Sequence, residues 1–413
     1  NTAGIGSPSE KPLVAIFTYH DHEAESAKRT EVESQGGAYS LDEGRTFRKF
    51  PTAVLQNPGK RDFRDPQVQW DDDTNRWLMT LVATDHVEFY TSTNLQKWEF
   101  ESTFGADEGD HSGVWECPNL IRVIGSDDRK PHDILMVSVG PKDAFARGGV
   151  QYFIGRFDGR EFRKDPDTNA RWLEYGTDYY AAVTWNRDSV PRKSAPILLG
   201  WMNNWLYATK VPTDPWRGVM ALPRIMRLAG KGAGLRVETQ PVATLTRLRT
   251  PGVRQRKVVG GNVVLLTKKA DPRGNALDLH FTLVTDKEKP ARVVLENTNG
   301  QVISVEFDPV SSKMTLRRNA SGNVNFDARF ADPLEATLPV SRSRRDLRVI
   351  LDRSSIEIFA DGGAASLTAQ VFPDNPFDRM SVDGDADAYL EDLTVHPLRS
   401  AWHDRRQARP PHP

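Results

Sequence analysis

The chain has 413 residues, and its 55 Lys and Arg side chains balance 56 Asp and Glu side chains to a formal net charge of -1. This balance provides no field to attract nucleic acid or an anionic membrane surface, and no apolar run approaches the ~20 residues of a membrane span. The single cysteine excludes an internal disulfide framework and a multi-cysteine metal site. We therefore expect a neutral substrate, with no nucleic acid or membrane partner and no cofactor.

Short β-branched and aromatic runs dominate the first half of the chain, beginning with a predicted buried strand at residues 13–19 (LVAIFTY). Residues 37–50 predict two strands joined by a tight turn, and the same pattern returns at residues 87–99 and 151–162. Units of four strands that recur after roughly fifty residues are typical of propeller blades. The first half therefore predicts a β-propeller.

The pattern changes near residue 250, after which apolar residues alternate with a period of two. Clear cases are residues 277–284 and 356–359, and this second half predicts a β-sandwich. The length also favours two domains. We predict an all-β chain with a propeller in residues 1–245, a sandwich in residues 246–400 and a flexible, basic and proline-rich tail in residues 401–413.

Two carboxylates open predicted strands in the propeller, Asp65 in the segment FRDP and Glu116 in the segment WECPN. Trp115 and Cys117 flank Glu116, and desolvation by these neighbours is expected to raise its pKa, as suits a general acid. Arg64 is expected to favour the ionised form of Asp65 and can bind a sugar hydroxyl. An isolated carboxylate at a strand end usually accepts backbone N–H groups, but similar placement in successive units favours one shared pocket of the kind that cleaves glycosides.

The remaining candidates carry weaker signals. Trp201 and Trp205 can provide an aromatic floor for a sugar, although most Trp residues of a propeller pack between blades. Cys117 has no obvious histidine partner, so a small side chain that shapes the surroundings of Glu116 is favoured over a nucleophile. The histidines show no zinc-binding spacing, and no metal is predicted. Residues 40–47 fit an Asp-box, a turn that several propeller families share, including sialidases.

Seven segments together resemble glycoside hydrolase family 32, the invertases, inulinases and levanases. In chain order they are FRDP (63–66), WECPNL (115–120), DYYA (178–181), GWMNNWLYA (200–208), PWRGVMALPR (215–224), DRSSIEIFADGG (352–363) and VFP (371–373). The resemblance implies a five-bladed propeller followed by a C-terminal β-sandwich. It also implies retaining release of fructose from sucrose, inulin or levan by a secreted or periplasmic enzyme.

By this resemblance, Glu116 is the general acid/base, Asp65 the transition-state stabiliser and Arg64 a ligand of the substrate. The further substrate-binding positions that we predict are Trp115, Cys117, Trp201, Asn204 and Trp205. The family's nucleophile is an Asp in a WMNDPNG motif that precedes the segment resembling residues 1–4. We therefore expect this chain to lack it, and Asn204 cannot supply a carboxylate in its place.

The first blade is accordingly expected to be incomplete, and its open strand edge can pair with a second copy to give a homo-oligomer. Two alternatives to a fructose-releasing enzyme stay open at this point. One is a fructan-binding pseudoenzyme without turnover. The other is a propeller hydrolase of another specificity, such as a sialidase or an arabinanase.

Overall fold

The computed structural model describes residues 3–141, 148–185, 195–266, 276–339, 342–384 and 387–401. The chain divides into two compact units. Unit 1 comprises Asn1–Glu174, Tyr179–Leu206 and Val219–Glu238, and unit 2 comprises Tyr175–Asp178, Tyr207–Gly218 and Thr239–Pro413. The predicted all-β class is confirmed, because the described residues form 29 strands, one short α-helix and four 3-10 turns. No helix in the described part of the chain is long and apolar enough to cross a membrane.

Unit 1 begins with two antiparallel sheets. The first sheet has the order β1-β2-β3 and the second the order β4-β5-β6-β7. Their elements are β1 (Leu13–His20), α1 (His22–Ser26), β2 (Glu33–Ser40), β3 (Arg48–Lys49), β4 (Phe63–Asp71), β5 (Arg76–Ala83), β6 (His86–Ser92) and β7 (Glu99–Phe104).

Two further sheets follow. In the third sheet the order is β11-β10-β9-β8 with β12 beside β10, and in the fourth it is β13-β14-β16-β17 with β15 beside β14. Their elements are β8 (Trp115–Ile124), β9 (Pro131–Val139), β10 (Gly149–Phe157), β11 (Phe162–Lys164), β12 (Arg171–Trp172), β13 (Tyr180–Trp185), β14 (Ile197–Met202), β15 (Val219–Met220), β16 (Arg224–Ala229), η1 (Gly232–Gly234) and β17 (Arg236–Pro241).

A repeated turn aligns the first three sheets with one another. Asp42 lies between β2 and β3 and accepts the backbone N–H of Thr46 at 2.9 Å, as the Asp-box predicts. Asn94 between β6 and β7 and Asp158 between β10 and β11 accept backbone N–H groups in the same way. Strand β1 therefore corresponds to β5 and β9, and the described residues contain no counterpart of β4 or β8 in the first sheet. The first sheet has three strands within the described residues, and β1 lies at its edge.

Strands β4, β8 and β13 carry the same irregularity near their first residues. The register of each with its neighbour shifts at this point, which marks a β-bulge. The residue at the bulge has a left-handed backbone in all three strands: Asp65 (φ 61°), Cys117 (φ 50°) and Ala181 (φ 50°). A non-glycine residue in this region is uncommon, and such strain concentrates at functional sites. The preceding residues, Arg64, Glu116 and Tyr180, thus occupy equivalent positions.

Side-chain amides connect neighbouring sheets just beyond the bulges. The side chain of Gln67 accepts the backbone N–H of Leu120 at 2.8 Å and donates to its carbonyl at 3.1 Å. Asn119, which is almost fully buried, accepts the backbone N–H and the hydroxyl of Thr184, both at 2.8 Å. Because both partners of each link are buried or half-buried, these bonds fix one bulge relative to the next. Aromatic and aliphatic side chains fill the space between the sheets.

Unit 2 contains a sandwich of two six-stranded antiparallel sheets, in the orders β18-β29-β20-β25-β26-β27 and β19-β28-β21-β22-β23-β24. The elements are η2 (Ala243–Leu248), β18 (Val253–Val259), β19 (Val264–Leu265), β20 (Ala276–Val284), β21 (Ala291–Glu296), β22 (Val302–Asp308), β23 (Lys313–Ala320), η3 (Ala328–Ala331), β24 (Leu334–Thr337), β25 (Arg344–Asp352), β26 (Ser355–Ala360), η4 (Asp361–Gly363), β27 (Ala365–Gln370), β28 (Arg379–Gly384) and β29 (Tyr389–Leu398).

The alternation that predicted the sandwich also builds its core. Leu277, Leu279, Phe281 and Leu283 of β20 are buried at every second position, and they join the buried residues of the facing sheet in one cluster. Of the predicted tail, residues 402–413 lie outside the described residues. The boundary at residue 245 and the homo-oligomer through the edge of β1 stay predictions.

Candidate active site

The three bulges bring Arg64, Glu116 and Tyr180 together in unit 1. The Nη2 atom of Arg64 donates to Oε1 of Glu116 at 3.0 Å, and the hydroxyl of Tyr180 donates to Oε2 at 2.5 Å. The side chain of Glu116 keeps 22% of its surface exposed. One carboxylate is therefore oriented by a cation on one side and a hydroxyl on the other, while it stays open to a ligand. Arg64 and Tyr180, and not the indole of Trp115, surround the carboxylate of Glu116.

Asp65 lies beside these three side chains. It directly follows Arg64, the residue of β4 that is equivalent to Glu116 of β8. Its Oδ2 atom accepts the backbone N–H of Cys117 at 2.9 Å, and the thiol of Cys117 lies 3.6 Å from the same oxygen. The backbone N–H of Asp65 donates to the hydroxyl of Thr18 at 3.2 Å. The two carboxylates thus meet at one site, but they come from adjacent rather than equivalent positions of their strands.

Burial, and not only the neighbouring Arg64, determines the electrostatic environment of Asp65. Burial raises the pKa of Asp65, and it outweighs the N–H of Cys117 and the charge of Arg64, both of which lower it. The negative charge of Glu116 adds to the rise. Arg64 therefore favours the ionised form of Asp65, as expected, but burial has the larger effect, and the guanidinium of Arg64 pairs with other carboxylates.

Those carboxylates are Glu33, Asp62 and Glu116. The Nη1 atom of Arg64 lies 3.3 Å from both carboxylate oxygens of Glu33 and also contacts Asp62. Burial disfavours the charged guanidinium, but the three carboxylates overcome this cost and raise the pKa of Arg64 above its ordinary value. Arg64 is thus a permanent cation held from three sides, and it fixes the position of Glu116.

Trp115 and Cys117, the two neighbours of Glu116 in the sequence, lie in different surroundings. Trp115 is fully buried, its indole N–H donates to the carbonyl of Asp110 at 2.7 Å, and its ring stacks on His111. The predicted substrate contact through the Trp115 indole is therefore corrected to a packing role. Burial and the charges of Asp65 and Glu116 raise the pKa of Cys117, so its thiol stays protonated and is a poor nucleophile.

The predicted aromatic residues continue the site beyond Tyr180. The ring of Tyr180 contacts that of Trp201 edge to face at 6.4 Å, and Trp201 lies 5.0 Å from Trp205 between ring centres. Trp205 is 58% exposed, so an apolar surface leads outward from the candidate acid. Asn204 is nearly buried, and its side-chain oxygen accepts the backbone N–H of Leu206 at 3.0 Å, which assigns it to holding this loop.

Sequence reasoning missed Tyr180, Glu33 and Gly140. Tyr180 lies in the DYYA segment, but no proline follows its bulge as one follows Asp65 and Cys117, so the repeat was hidden. A Cβ atom on Gly140 would lie 3.2 Å from the hydroxyl of Tyr180 and 3.7 Å from Oε2 of Glu116. This glycine thus leaves room for the hydrogen bond between the two side chains.

A cation, two carboxylates with unlike surroundings and an aromatic surface on bulged strands define a site of the glycoside hydrolase class. Residues 3–239 match the glycosyl hydrolases family 32 N-terminal domain, and residues 244–397 match the glycosyl hydrolases family 32 C-terminal model. The chain therefore belongs to glycosyl hydrolases family 32.

Known proteins of the family cover most of the chain. The levanase of Bacillus subtilis (strain 168) is 36% identical over 414 residues, which are 97% of this chain and 59% of the levanase. The extracellular exo-inulinase of Aspergillus awamori is 32% identical over 401 residues, which are 90% of this chain and 74% of that protein. The chain thus spans less than two thirds of the length of the levanase.

Solved structures agree on the fold. The crystal structure of exo-inulinase from Aspergillus awamori matches with a TM-score of 0.84 at 29% identity, over 97% of this chain and 82% of that one. A β-fructofuranosidase from Schwanniomyces occidentalis shares the fold with a TM-score of 0.82 at 24% identity, over 97% of this chain and 81% of that one. The predicted propeller and sandwich are confirmed. Unit 1 has four sheets within its described residues, so the count of five blades is not confirmed.

Proposed function

We propose that the chain is a retaining glycoside hydrolase that acts on β-fructofuranosides, namely sucrose, inulin or levan. Membership of family 32 supports the reaction class, and the similarity to a levanase and an exo-inulinase supports fructans as substrates. The observation that carries the proposal is the carboxylate of Glu116, held between the guanidinium of Arg64 and the hydroxyl of Tyr180. The extracellular relatives also support secretion or export to the periplasm.

In this proposal Glu116 exchanges a proton with the glycosidic oxygen. Arg64 and Tyr180 each bind one carboxylate oxygen, so they fix the direction in which the proton is delivered. Burial and the charge of Glu116 raise the pKa of Tyr180, so the hydroxyl stays a hydrogen-bond donor at neutral pH. Proton transfer by a positioned side chain accelerates such a step by about 100- to 10,000-fold.

Asp65 stabilises the charge that develops on the fructosyl ring, and it binds fructose hydroxyls with the oxygen that does not face Cys117. The backbone N–H of Cys117 and the hydroxyl of Thr18 hold Asp65 in place. We assign the nucleophile to neither Asp65 nor Asn204. The resemblance implies that the nucleophile belongs to the family's WMNDPNG motif, so the assay compares the chain alone with the chain carrying that motif ahead of residue 1.

The test measures fructose released from sucrose, inulin and levan by the wild-type protein, the Glu116→Gln variant and the Glu238→Gln variant. Glu238 is a matched control because its side chain is 19% exposed and paired with Arg236. We expect Glu116→Gln to lower release about 100- to 10,000-fold and Glu238→Gln to leave it unchanged.

Calorimetric binding of levan and inulin to the same proteins separates catalysis from binding. Retained binding with lost release in Glu116→Gln supports the acid/base role. Binding without release by every form, with or without the added motif, would establish the pseudoenzyme instead. Release of sialic acid or arabinose would indicate another specificity.

A further inference from the structure

Three side chains with metal-binding atoms meet at the end of β1. His20 ends β1, and His22 and Glu25 lie in the five-residue helix α1. One ligand atom from each residue lies within 4.8 Å of the other two. The sequence spacing H-x-H-x2-E matched no zinc pattern, so only the structure brings these residues together.

The distances suit a tetrahedral metal ion. The Oε2 atom of Glu25 lies 3.1 Å from Nε2 of His20 and 3.6 Å from Nδ1 of His22. Zinc binds nitrogen and oxygen ligands at about 2.0–2.2 Å, so two ligand atoms on one tetrahedral ion lie roughly 3.3–3.5 Å apart. The two imidazole rings also lie 4.6 Å apart between centres, so both face the same space. The side chains need only small movements to surround an ion.

The local fold holds two of the three ligands in register. Asp21 caps α1 by accepting the backbone N–H of Ala24 at 2.9 Å, and it also pairs with Arg29. This cap places His22 and Glu25 three residues apart on one face of the helical turn. Asp21 is thereby committed to the cap, and Glu25 is the carboxylate that faces the imidazoles.

A second carboxylate supports His20 from behind. The Nδ1 atom of His20 lies 3.4 Å from Oε1 of Glu33, whose side chain is only 8% exposed. A metal-binding histidine usually donates its other N–H to a carboxylate, which orients the ring and fixes its tautomer. This contact leaves Nε2 of His20 to face Glu25 and His22, as metal binding through Nε2 requires.

We propose that His20, His22 and Glu25 form a binding site for a divalent transition metal, with zinc as the best match. Two imidazole nitrogens and one carboxylate oxygen are ligands that zinc accepts, and water completes the coordination. Glu33 supports the site and also binds Arg64, so the metal lies at the outer end of a chain of contacts that reaches Glu116. The observations that support this metal site do not depend on the proposed hydrolysis.

The test is calorimetric titration of the tag-free protein with zinc chloride, after dialysis against a chelator. We expect one zinc ion per chain and at least a tenfold loss of affinity in His20→Ala, His22→Ala and Glu25→Gln. Glu33→Gln should weaken binding by about ten- to a hundredfold, as loss of a supporting carboxylate does elsewhere. The control is His280→Ala, because His280 forms an exposed pair with Asp346 at 2.7 Å, and the described residues place no third ligand beside this pair. It should leave zinc binding unchanged.

Magnesium provides a second comparison, because it prefers an all-oxygen octahedral shell and should bind far more weakly than zinc. Circular dichroism of each variant checks that the fold is intact. The proposal would be overturned if none of His20→Ala, His22→Ala and Glu25→Gln weakened zinc binding. It would also be overturned if His280→Ala weakened zinc binding as much as they do. The absence of stoichiometric zinc binding in the wild-type protein would overturn it as well, since the three residues would then form ordinary surface ion pairs.

Discussion

Two clusters in this protein each combine an arginine, a carboxylate and a tyrosine, yet they differ in their exposure to solvent. Unit 1 contains Arg64, Glu116 and Tyr180, and unit 2 contains Arg318, Asp178 and Tyr207. In the first cluster the side chains of Arg64 and Glu116 are 20% and 22% exposed, while Tyr180 is buried. Arg318 and Asp178 of the second are both 0% exposed.

Hydrogen bonding in the unit 2 cluster occupies both carboxylate oxygens of Asp178. One oxygen accepts Arg318 and the backbone N–H of Gln370, and the other accepts the hydroxyl of Tyr207. The guanidinium of Arg318 also lies 3.7 Å over the ring of Phe330. Enclosure, and not residue type, therefore separates a structural ion pair from a site that can bind a sugar.

The largest expected effect on stability follows from breaking the fully buried ion pair between Arg318 and Asp178. Arg318→Met should lower the free energy of unfolding by about 3–5 kcal/mol, because it leaves the charge of Asp178 buried without its cation. Urea denaturation followed by tryptophan fluorescence measures this loss. The double variant Arg318→Met with Asp178→Leu should recover most of it, since no buried charge is then left unpaired. A single variant as stable as the wild type would show that the cluster is not a structural element.

The matched substitution in the unit 1 cluster, Arg64→Met, should lower activity more than stability. Arg64→Met removes the cation from Glu116 and from the proposed fructose site, so fructose release should fall about 100-fold or more. The free energy of unfolding should fall by less than about 3 kcal/mol, since solvent can reach two of the three carboxylates that lose their partner, Asp62 and Glu116. Release assays and urea denaturation on the same preparation give both values. Equal losses of stability in Arg64→Met and Arg318→Met would remove the distinction between the clusters.

Tyr180→Phe should give a smaller effect. It removes the hydroxyl that binds Oε2 of Glu116 and keeps the ring that contacts Trp201. A hydrogen bond to a charged group contributes about 1.5–3 kcal/mol, so kcat should fall roughly 10- to 100-fold while KM changes little. Tyr207→Phe is the control, and it should lower stability without this selective loss in kcat. A change in KM alone would assign Tyr180 to substrate binding.

The sequence was sufficient to predict the strands that carry the site. FRDP and WECPN each begin a strand, the Asp-box forms its turn, and Asp65 and Glu116 meet at one site. These features depend on local pattern and on blade repetition, which a single sequence contains. Burial of Asp178 could not be predicted in the same way, because its partners Arg318 and Gln370 are far away along the chain.

The register within the repeat was not predictable from alternation alone. A bulge inserts one residue, so Arg64 is the equivalent of Glu116, and Asp65 is the equivalent of Cys117. The partners of Arg64 also depend on distant segments, since Glu33 lies in another sheet. Proximity in sequence therefore predicted the effect of Arg64 on Asp65, but not the ion pairs that Arg64 forms with Glu33 and Glu116.

The smallest effect that we predict concerns pH and follows from the burial of Asp65. A carboxyl group whose pKa is raised in the folded state binds its proton more tightly there than in the unfolded chain. Its contribution to stability is present below the ordinary value of 3.8 and is lost as the pH rises through the folded-state pKa. Relative to Asp65→Asn, the wild type should thus lose stability as the pH rises above 3.8, by about 1.4 kcal/mol for each unit of the shift.

The pKa of Asp42, in the same unit, is shifted in the opposite direction from that of Asp65. Hydrogen bonds from Ser40 and Thr46 lower the pKa of Asp42 to about 2, so its contribution is present above 3.8 and is lost as the pH falls towards 2. Urea denaturation between pH 2 and pH 7 should therefore give slopes of opposite direction when Asp65→Asn and Asp42→Asn are each compared with the wild type. Fructose release should decline on the acid side at a pH above 3.8, because a protonated Asp65 no longer stabilises positive charge. Slopes of the same sign would show that the partners of Asp65, and not its burial, determine its ionisation.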